Sequence, residues 1–149
     1  MRVGLICSAG GHLAQLHRLE LWWKLHDRFW VTLDKPDSQE RLAGERVVFA
    51  HGPTNRSLGN LAKNLKLARE VLDQERPDLL VSNGAGIALP FYLMGRMMGI
   101  PLIYVEVPDR LQAPSLTGRL VRPLVDAMVL PREEQRAFFP DGVVIRGRF

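Results

Sequence analysis

Three stretches carry residue types suited to chemistry. Ser8-Ala9-Gly10-Gly11-His12 follows a short apolar run, Val3 to Cys7, and leads into a helical pattern. A strand, a small-residue turn and a helix start form a corner that favours negative charge, because backbone N–H groups and the helix dipole point at it. The spacing is not G-x-G-x-x-G, so the dinucleotide fingerprint is not met. What remains is an ordinary strand-to-helix turn, or one that touches a phosphate, a sugar or a reacting hydroxyl. Asn83-Gly84-Ala85-Gly86 is a second turn of the same kind. Glu106 stands directly after the apolar run Leu102 to Val105. A carboxylate there suits a ligand hydroxyl, a proton transfer or a helix cap. His12 and Glu106 are thus the two proton-transfer candidates, since an imidazole titrates near neutrality. His51, Asn55 and Arg56, in the loop after a further strand, are weaker candidates.

The elements that must position these groups alternate regularly. Apolar, β-branched runs predict strands at Val3–Cys7, Arg28–Leu33, Arg46–Ala50, Leu79–Ser82, Leu102–Val105, Val125–Leu130 and Val143–Ile145. Between them, helical spacing predicts a helix from Leu13 to Leu25, with Leu13, Leu16, Leu19, Leu21, Trp22 and Leu25 inward. Shorter helices are predicted at Ser38–Ala43, Ser115–Val121 and Arg132–Phe138. A longer one runs from a Ser57 cap through Leu72. The helix Ile87–Met98 is apolar nearly all round, which suits burial on both sides or a face against lipid or a partner. This alternation predicts an α/β, Rossmann-like parallel sheet with helices on both faces, built from right-handed crossovers, in a single domain over residues 1–149. Both glycine turns and Glu106 then share the rim at the strands' C-terminal ends, where open sheets of this kind hold ligands.

Composition narrows the partners. The chain has 149 residues and a formal charge of +4, with a sequence pI of about 9.7. That balance suits anionic partners without choosing among them. The lone Cys7 offers no disulfide framework or metal cluster, and no ligand spacing predicts a metal or other cofactor. The chain opens on a strand, so no secretory leader is expected. The most apolar window, Ile87 to Ile103, contains Arg96 and is broken by Pro90 and Pro101. Any membrane contact is therefore expected to be peripheral.

Three segments together resemble one family. They are Ser8-Ala-Gly-Gly-His-Leu-Ala-Gln-Leu16, then Phe49-Ala-His-Gly-Pro-Thr-Asn-Arg56, then Ser82-Asn-Gly-Ala-Gly-Ile-Ala-Leu-Pro90 with Tyr104-Val-Glu106 and Pro114-Ser-Leu-Thr-Gly118. The chain resembles the bacterial PssD-like polysaccharide-biosynthesis proteins. That family includes the eukaryotic membrane-anchoring subunit of the UDP-GlcNAc transferase that makes dolichol-linked chitobiose. Its single-chain relative is the peptidoglycan GlcNAc transferase that builds lipid II. The resemblance implies the N-terminal, acceptor half of a split GT-B glycosyltransferase. A separate donor-binding subunit would supply the C-terminal half and hold most of a UDP-sugar, UDP-N-acetylglucosamine or UDP-glucuronate.

By the same resemblance, Gly10, Gly11 and His12 match the turn near the acceptor diphosphate and the transfer centre. Asn83, Gly84 and Gly86 match the second turn, and Glu106 the acid after the fifth strand. Arg110, Ser115 and Thr117 match the loop and helix start that complete the acceptor side. After Glu106 the chain departs from the family, with Val107 and Pro108 where relatives carry a small polar residue and an aromatic. The eukaryotic members' N-terminal membrane helix has no counterpart in this sequence. A lipid-diphosphate acceptor implies work at the cytoplasmic face of the inner membrane. Phe91, Met94, Arg96, Met97, Arg119 and Arg122 are the expected membrane contacts. No nucleic-acid partner is expected. Two other readings stay open: a non-catalytic subunit that only anchors and positions its partner, and a redox-type Rossmann protein, which the missing fingerprint disfavours.

Overall fold

A computed structural model describes residues 1–54, 56–84 and 86–146. Seven parallel strands form one sheet in the order β3-β2-β1-β4-β5-β6-β7. They are β1 (Arg2–Ile6), β2 (Asp27–Leu33), β3 (Val47–Ala50), β4 (Leu79–Ser82), β5 (Leu102–Val105), β6 (Ala127–Leu130) and β7 (Val143–Val144). The helices are α1 (Gly11–His17), α2 (Glu20–Trp23), α3 (Pro36–Arg41), α4 (Leu58–Glu75), α5 (Ala88–Met97) and α6 (Leu116–Val121), with a 3₁₀ turn at Glu133–Ala137. The order reverses between β1 and β4, so the rim above those strands is the topological switch point where such sheets bind ligands.

Side chains divide between the faces as the period-two rule demands. On one face Ile6, Phe29, Val31, Leu80, Leu102 and Tyr104 pack under α4, α5 and α6, through Ala68, Leu72, Phe91, Tyr92 and Val121. On the other, Val3, Leu5, Cys7, Trp30, Val81 and Val105 meet Leu13, Leu16, Trp23 and Leu42. Cys7 is fully buried, and burial pushes its thiol well above the ordinary range. It is a small core hydrophobe.

Local departures from the sequence pattern have identifiable causes. The single helix expected from Leu13 to Leu25 is two short ones, α1 and α2. The break at Arg18–Leu19 rotates Trp23 into the core, where its indole N–H donates to the His17 carbonyl at 3.1 Å. Leu21 and Leu25, counted as core by periodicity, are exposed. In α3, Pro36 occupies the first turn after a Lys35 cap. Asp37 and Ser38 therefore lie inside the helix and do not cap it. Ser57 does cap α4, accepting from the Asn60 N–H.

The nearly all-apolar α5 is a core helix. Ala88, Pro90, Phe91, Tyr92 and Gly95 are buried, and Gly95 lies flush on Leu80 and Leu102. Tyr92 donates its hydroxyl to the Ile103 carbonyl. This corrects the expected membrane contact at Phe91, whose side chain has no exposed surface. Met97 is 78% exposed, and Arg96 pairs with Asp126 at 3.6 Å. Both sit at the C-terminal end of α5, beside the start of β6, at the opposite end of the sheet from the glycine turns. Arg96 and Met97 therefore do not belong to a membrane face shared with the rim.

Phe91→Ala is expected to cost about 3–5 kcal/mol of stability, the value for a buried aromatic, and Met97→Ala no more than about 0.5 kcal/mol; urea melts of both variants check this. His17 packs against Trp23 and Trp30, and partial burial holds its pKa below the ordinary value. The fold thus favours neutral His17. Its contribution is present above the unfolded histidine pKa and lost as pH falls through the folded one. Acidification should lower the urea midpoint less in His17→Gln than in the native chain.

Candidate functional site

The two glycine turns meet because β1 and β4 are hydrogen-bonded neighbours. Asn83, the first residue after β4, is fully buried and grips the His12 turn twice. Its side-chain amide donates to the His12 carbonyl at 2.7 Å and to Gln15 Oε1 at 3.1 Å. Its own carbonyl accepts from His12 Nδ1 at 3.2 Å. A carbonyl can only accept, so Nδ1 carries the proton and Nε2 keeps its lone pair. The His12 ring, half-buried, is thereby fixed in the tautomer of a proton acceptor.

Gly84 and Gly86 are required by close approach. Gly84 has φ +126°, and a Cβ there would lie 2.9 Å from Tyr104 Oη and 3.1 Å from His12 Cε1. Gly84 therefore seats the imidazole. A Cβ on Gly86 would lie 2.7 Å from the Thr54 Cβ, so Gly86 seats the loop after β3. Asn64 pins that loop by accepting from the His51 N–H and donating to the His51 carbonyl. Arg56 reaches the cleft wall, whereas His51 is absent from it; Asn55 and Ala85 lie outside the described residues. The free amides expected at Gly10 and Gly84 are corrected: Gly10 donates to the Asp37 carboxylate at 2.8 Å, and Gly84 to Ser82 Oγ at 3.2 Å. Gly11 is exposed at the start of α1.

Glu106 is fully buried. One carboxylate oxygen accepts from its neighbour Val107 N–H at 2.9 Å, the other from Ser115 N–H at 3.2 Å. It holds both ends of the 107–115 loop and has no surface for an acceptor hydroxyl. The expected role as catalytic base is therefore corrected to that of a loop staple. Ser115 caps α6 by accepting from Gly118 N–H at 2.9 Å, and Gly118 is obligatory because a Cβ there would lie 2.7 Å from Glu106 Oε2. The loop is tied further by buried Gln135, whose amide donates to the carbonyls of Val107 and Arg110.

The walls enclose an open cleft of about 880 Å³. His12 and Gly86 line it on one side, Asp109, Arg110, Ser115 and Thr117 on another, with Tyr104 at the floor. Leu58, Leu61, Leu89, Leu116 and Leu120 form an apolar border, and Arg56 joins Arg110 as a cation on the wall. Leu58 is 83% and Leu116 73% exposed. Arg119 and Arg122 lie beyond this border in a separate groove with Phe138 and Phe139. Met94 is half-buried against the core and is not on the cleft wall. Tyr104 went unremarked as a site residue in the sequence because it reads as a strand aromatic. Its hydroxyl lies 3.2 Å from Ser115 Oγ, and burial raises its pKa, which keeps the proton on the phenol. Among the described residues no group of acidic, histidine and cysteine side chains could hold a metal.

This Rossmann-like architecture, a parallel sheet with a cleft at its switch point, matches the N-terminal domain of GT-B proteins in fold. The structure aligns over 99% of its length with MurG of Acinetobacter baumannii, at TM-score 0.79 and 17% identity, covering 46% of that chain. It aligns over 97% of its length with UDP-GlcNAc 2-epimerase of Neisseria meningitidis bound to UDP-GlcNAc, at TM-score 0.77 and 15% identity, covering 45% of that chain. In sequence, it is 34% identical over 68 residues to the UDP-N-acetylglucosamine–N-acetylmuramyl-(pentapeptide) pyrophosphoryl-undecaprenol N-acetylglucosamine transferase of Symbiobacterium thermophilum, 46% of this chain and 17% of that enzyme. The same enzyme of Chlorobaculum tepidum is 29% identical over 82 residues, 55% of this chain and 22% of that enzyme. The chain thus spans about a fifth of the curated relatives it matches. No family model matches it.

The tautomer is directly measurable. Long-range ¹H–¹⁵N spectra should show neutral His12 protonated on Nδ1, and Asn83→Ala should shift the population toward the Nε2–H form. Gly84→Ala should move the ring resonances, since the added methyl meets His12 and Tyr104 together.

Proposed function

We propose that this chain is the acceptor-binding half of a UDP-sugar glycosyltransferase. It acts on a lipid-diphosphate-linked sugar in polysaccharide or oligosaccharide biosynthesis. The observation that carries the reading is His12: one nitrogen tethered to the Asn83 carbonyl, the other without a hydrogen bond among the described residues, at the mouth of a cleft that Arg56 and Arg110 line. Transfer needs the acceptor hydroxyl deprotonated as it attacks the anomeric carbon and the leaving diphosphate stabilised. Nε2 of His12 takes the acceptor proton. The arginines face the acceptor diphosphate, and Ser115 and Thr117 meet its sugar.

The sequence similarity to UDP-GlcNAc transferases and the fold likeness to a GT-B N-terminal domain support the reaction class. A donor-binding half, on a separate subunit as in the PssD-like proteins, holds the nucleotide of UDP-N-acetylglucosamine or UDP-glucuronate. No helix among the described residues is long and apolar enough to cross a membrane. Peripheral contact at the cytoplasmic face fits the apolar border of the cleft, Leu58, Leu116 and Leu120, with Arg119 beside it. This patch replaces the one expected around Phe91, and it sets the lipid tail beside the diphosphate site.

Transfer of labelled sugar from the UDP donor to a lipid-diphosphate acceptor tests the reading, with the chain co-expressed with its donor-binding half. His12→Ala is expected to reduce the rate ~10²–10⁴-fold, the range for a general base, with the pair still assembled. Full activity in that variant would leave only an anchoring role. Leu58→Asp with Leu116→Asp should reduce sedimentation with anionic liposomes; retained binding would remove the rim from the membrane contact.

A further inference from the structure

Two hydroxyls meet at the floor of the cleft, and their protons can be placed by counting. Tyr104, on β5, belongs to the core beneath α5 and α6. The whole residue is out of contact with water. Its hydroxyl lies 3.2 Å from Ser115 Oγ, the one hydrogen-bond partner it has among the described residues. Ser115, by contrast, is half-buried and lines the cleft.

A serine oxygen offers two lone pairs and one proton. Gly118 N–H donates to Ser115 Oγ at 2.9 Å and occupies one lone pair. The second position belongs to Tyr104. If Ser115 gave its proton to Tyr104, the phenolic proton would be left unpaired inside the protein. A buried donor in that state loses its hydration and gains nothing, so Tyr104 is the donor. Burial raises the pKa of the phenol, so its proton stays in place across the neutral range. Both lone pairs of Ser115 are then filled. Glu106 accepts the Ser115 N–H and makes no bond to its hydroxyl among the described residues. The Ser115 proton therefore faces the cleft.

This fixes what Ser115 can recognise. It can take no proton from a sugar hydroxyl. The cations of the cleft wall, Arg56 and Arg110, are likewise donors without acceptor capacity. Ser115 joins them as a third donor. The oxygen that suits it carries no proton of its own, as a phosphoryl or a carbonyl oxygen does. Gly84 sets this pair beside the reacting histidine. The space that a Cβ would take there is bounded by Tyr104 Oη at 2.9 Å and His12 Cε1 at 3.1 Å.

We infer that Tyr104 is a positioning residue, which makes Ser115 a dedicated hydrogen-bond donor to a proton-free oxygen of the lipid-linked acceptor. The inference rests on the acceptor-half reading above. That oxygen belongs either to the diphosphate or to a carbonyl group carried by the sugar. Tyr104 itself touches no substrate. It acts by holding the second lone pair of Ser115 Oγ, which leaves the serine proton one direction. Without the phenol that lone pair is vacant and the hydroxyl can rotate.

The affinity of the full chain for two soluble probes tests this: farnesyl diphosphate, and N-acetylglucosamine linked through a diphosphate to farnesol. Tyr104→Phe removes one oxygen and keeps the ring. It should weaken binding of at least one probe about fivefold, the effect of one hydrogen bond, and Ser115→Ala at least as much. Ser115→Thr, which keeps a hydroxyl, should recover most of what Ser115→Ala loses. Adding Tyr104→Phe to Ser115→Ala should cost less than about twofold more, because nothing is left to position. Loss with both probes assigns the oxygen to the diphosphate; loss with the sugar-bearing probe alone assigns it to the sugar. Native affinity of Tyr104→Phe for both probes overturns the inference, as do additive losses in the double variant. Should Tyr104→Phe fail to fold, native affinity in Ser115→Ala overturns it instead. In the transfer assay Tyr104→Phe should raise KM for the lipid acceptor about fivefold and leave kcat and KM for the UDP donor as they are; a fall in kcat alone overturns the positioning role. The two readings fail separately. A native chain that binds neither probe removes the acceptor reading and the inference with it. Native probe affinity in Tyr104→Phe, with transfer lost in His12→Ala, removes the inference alone. Coupled losses at Tyr104 and Ser115, with full transfer in His12→Ala, remove the base alone.

Discussion

The site depends on one buried carboxamide. Asn83 joins the turn after β1 to the turn after β4, through its side chain to the His12 carbonyl and Gln15 and through its backbone to the imidazole. Gln15 in turn donates to the Glu106 carbonyl at 3.4 Å, so three strand ends are tied by two buried amides. Each bond contributes only about 1 kcal/mol, but an orphaned partner inside the protein costs ~1–3 kcal/mol. The network is therefore stable only when all three strand ends are in register. The aim of His12 is a property of the sheet and not of one flexible turn.

Much of this frame was legible in the sequence. Strand and helix periods gave seven strands, and alternation gave the parallel sheet. The switch point put both glycine turns on one rim. The glycines of the second turn were legible, but for a different reason: Gly84 and Gly86 are there because His12, Tyr104 and Thr54 press against them. What a glycine touches is long-range information that no local pattern carries. Glu106 shows the same limit. Its place after a buried strand fits a base and a staple equally, and only the positions of the Val107 and Ser115 amides decide.

The misplaced membrane face has a related cause. Helical periodicity reports which residues are apolar, not what lies opposite them. In α5 all but the last turn, Arg96 and Met97, is packed, from Leu80 and Leu102 beneath to α4 and α6 beside it. Two of the exposed leucines stand instead at the starts of α4 and α6, Leu58 and Leu116, as isolated residues after serine caps. Scattered in sequence, they form one border only when the sheet brings two helix starts to the same rim.

A histidine suits this rim better than the carboxylate beside it. A carboxylate that staples two amides inside the protein has no surface for a substrate hydroxyl, and moving it outward to reach one would release the 107–115 loop. An imidazole divides the tasks: Nδ1 bears the structural hydrogen bond and Nε2 remains available. The division also sets the direction of approach, because a ring pinned through Nδ1 to Asn83 cannot turn away from the cleft without breaking that bond. Under the acceptor-half proposal, the acceptor comes to the histidine with its diphosphate on the arginine wall and its lipid along the leucine border. The ring also lines the groove beside α1, so it is reached from two sides.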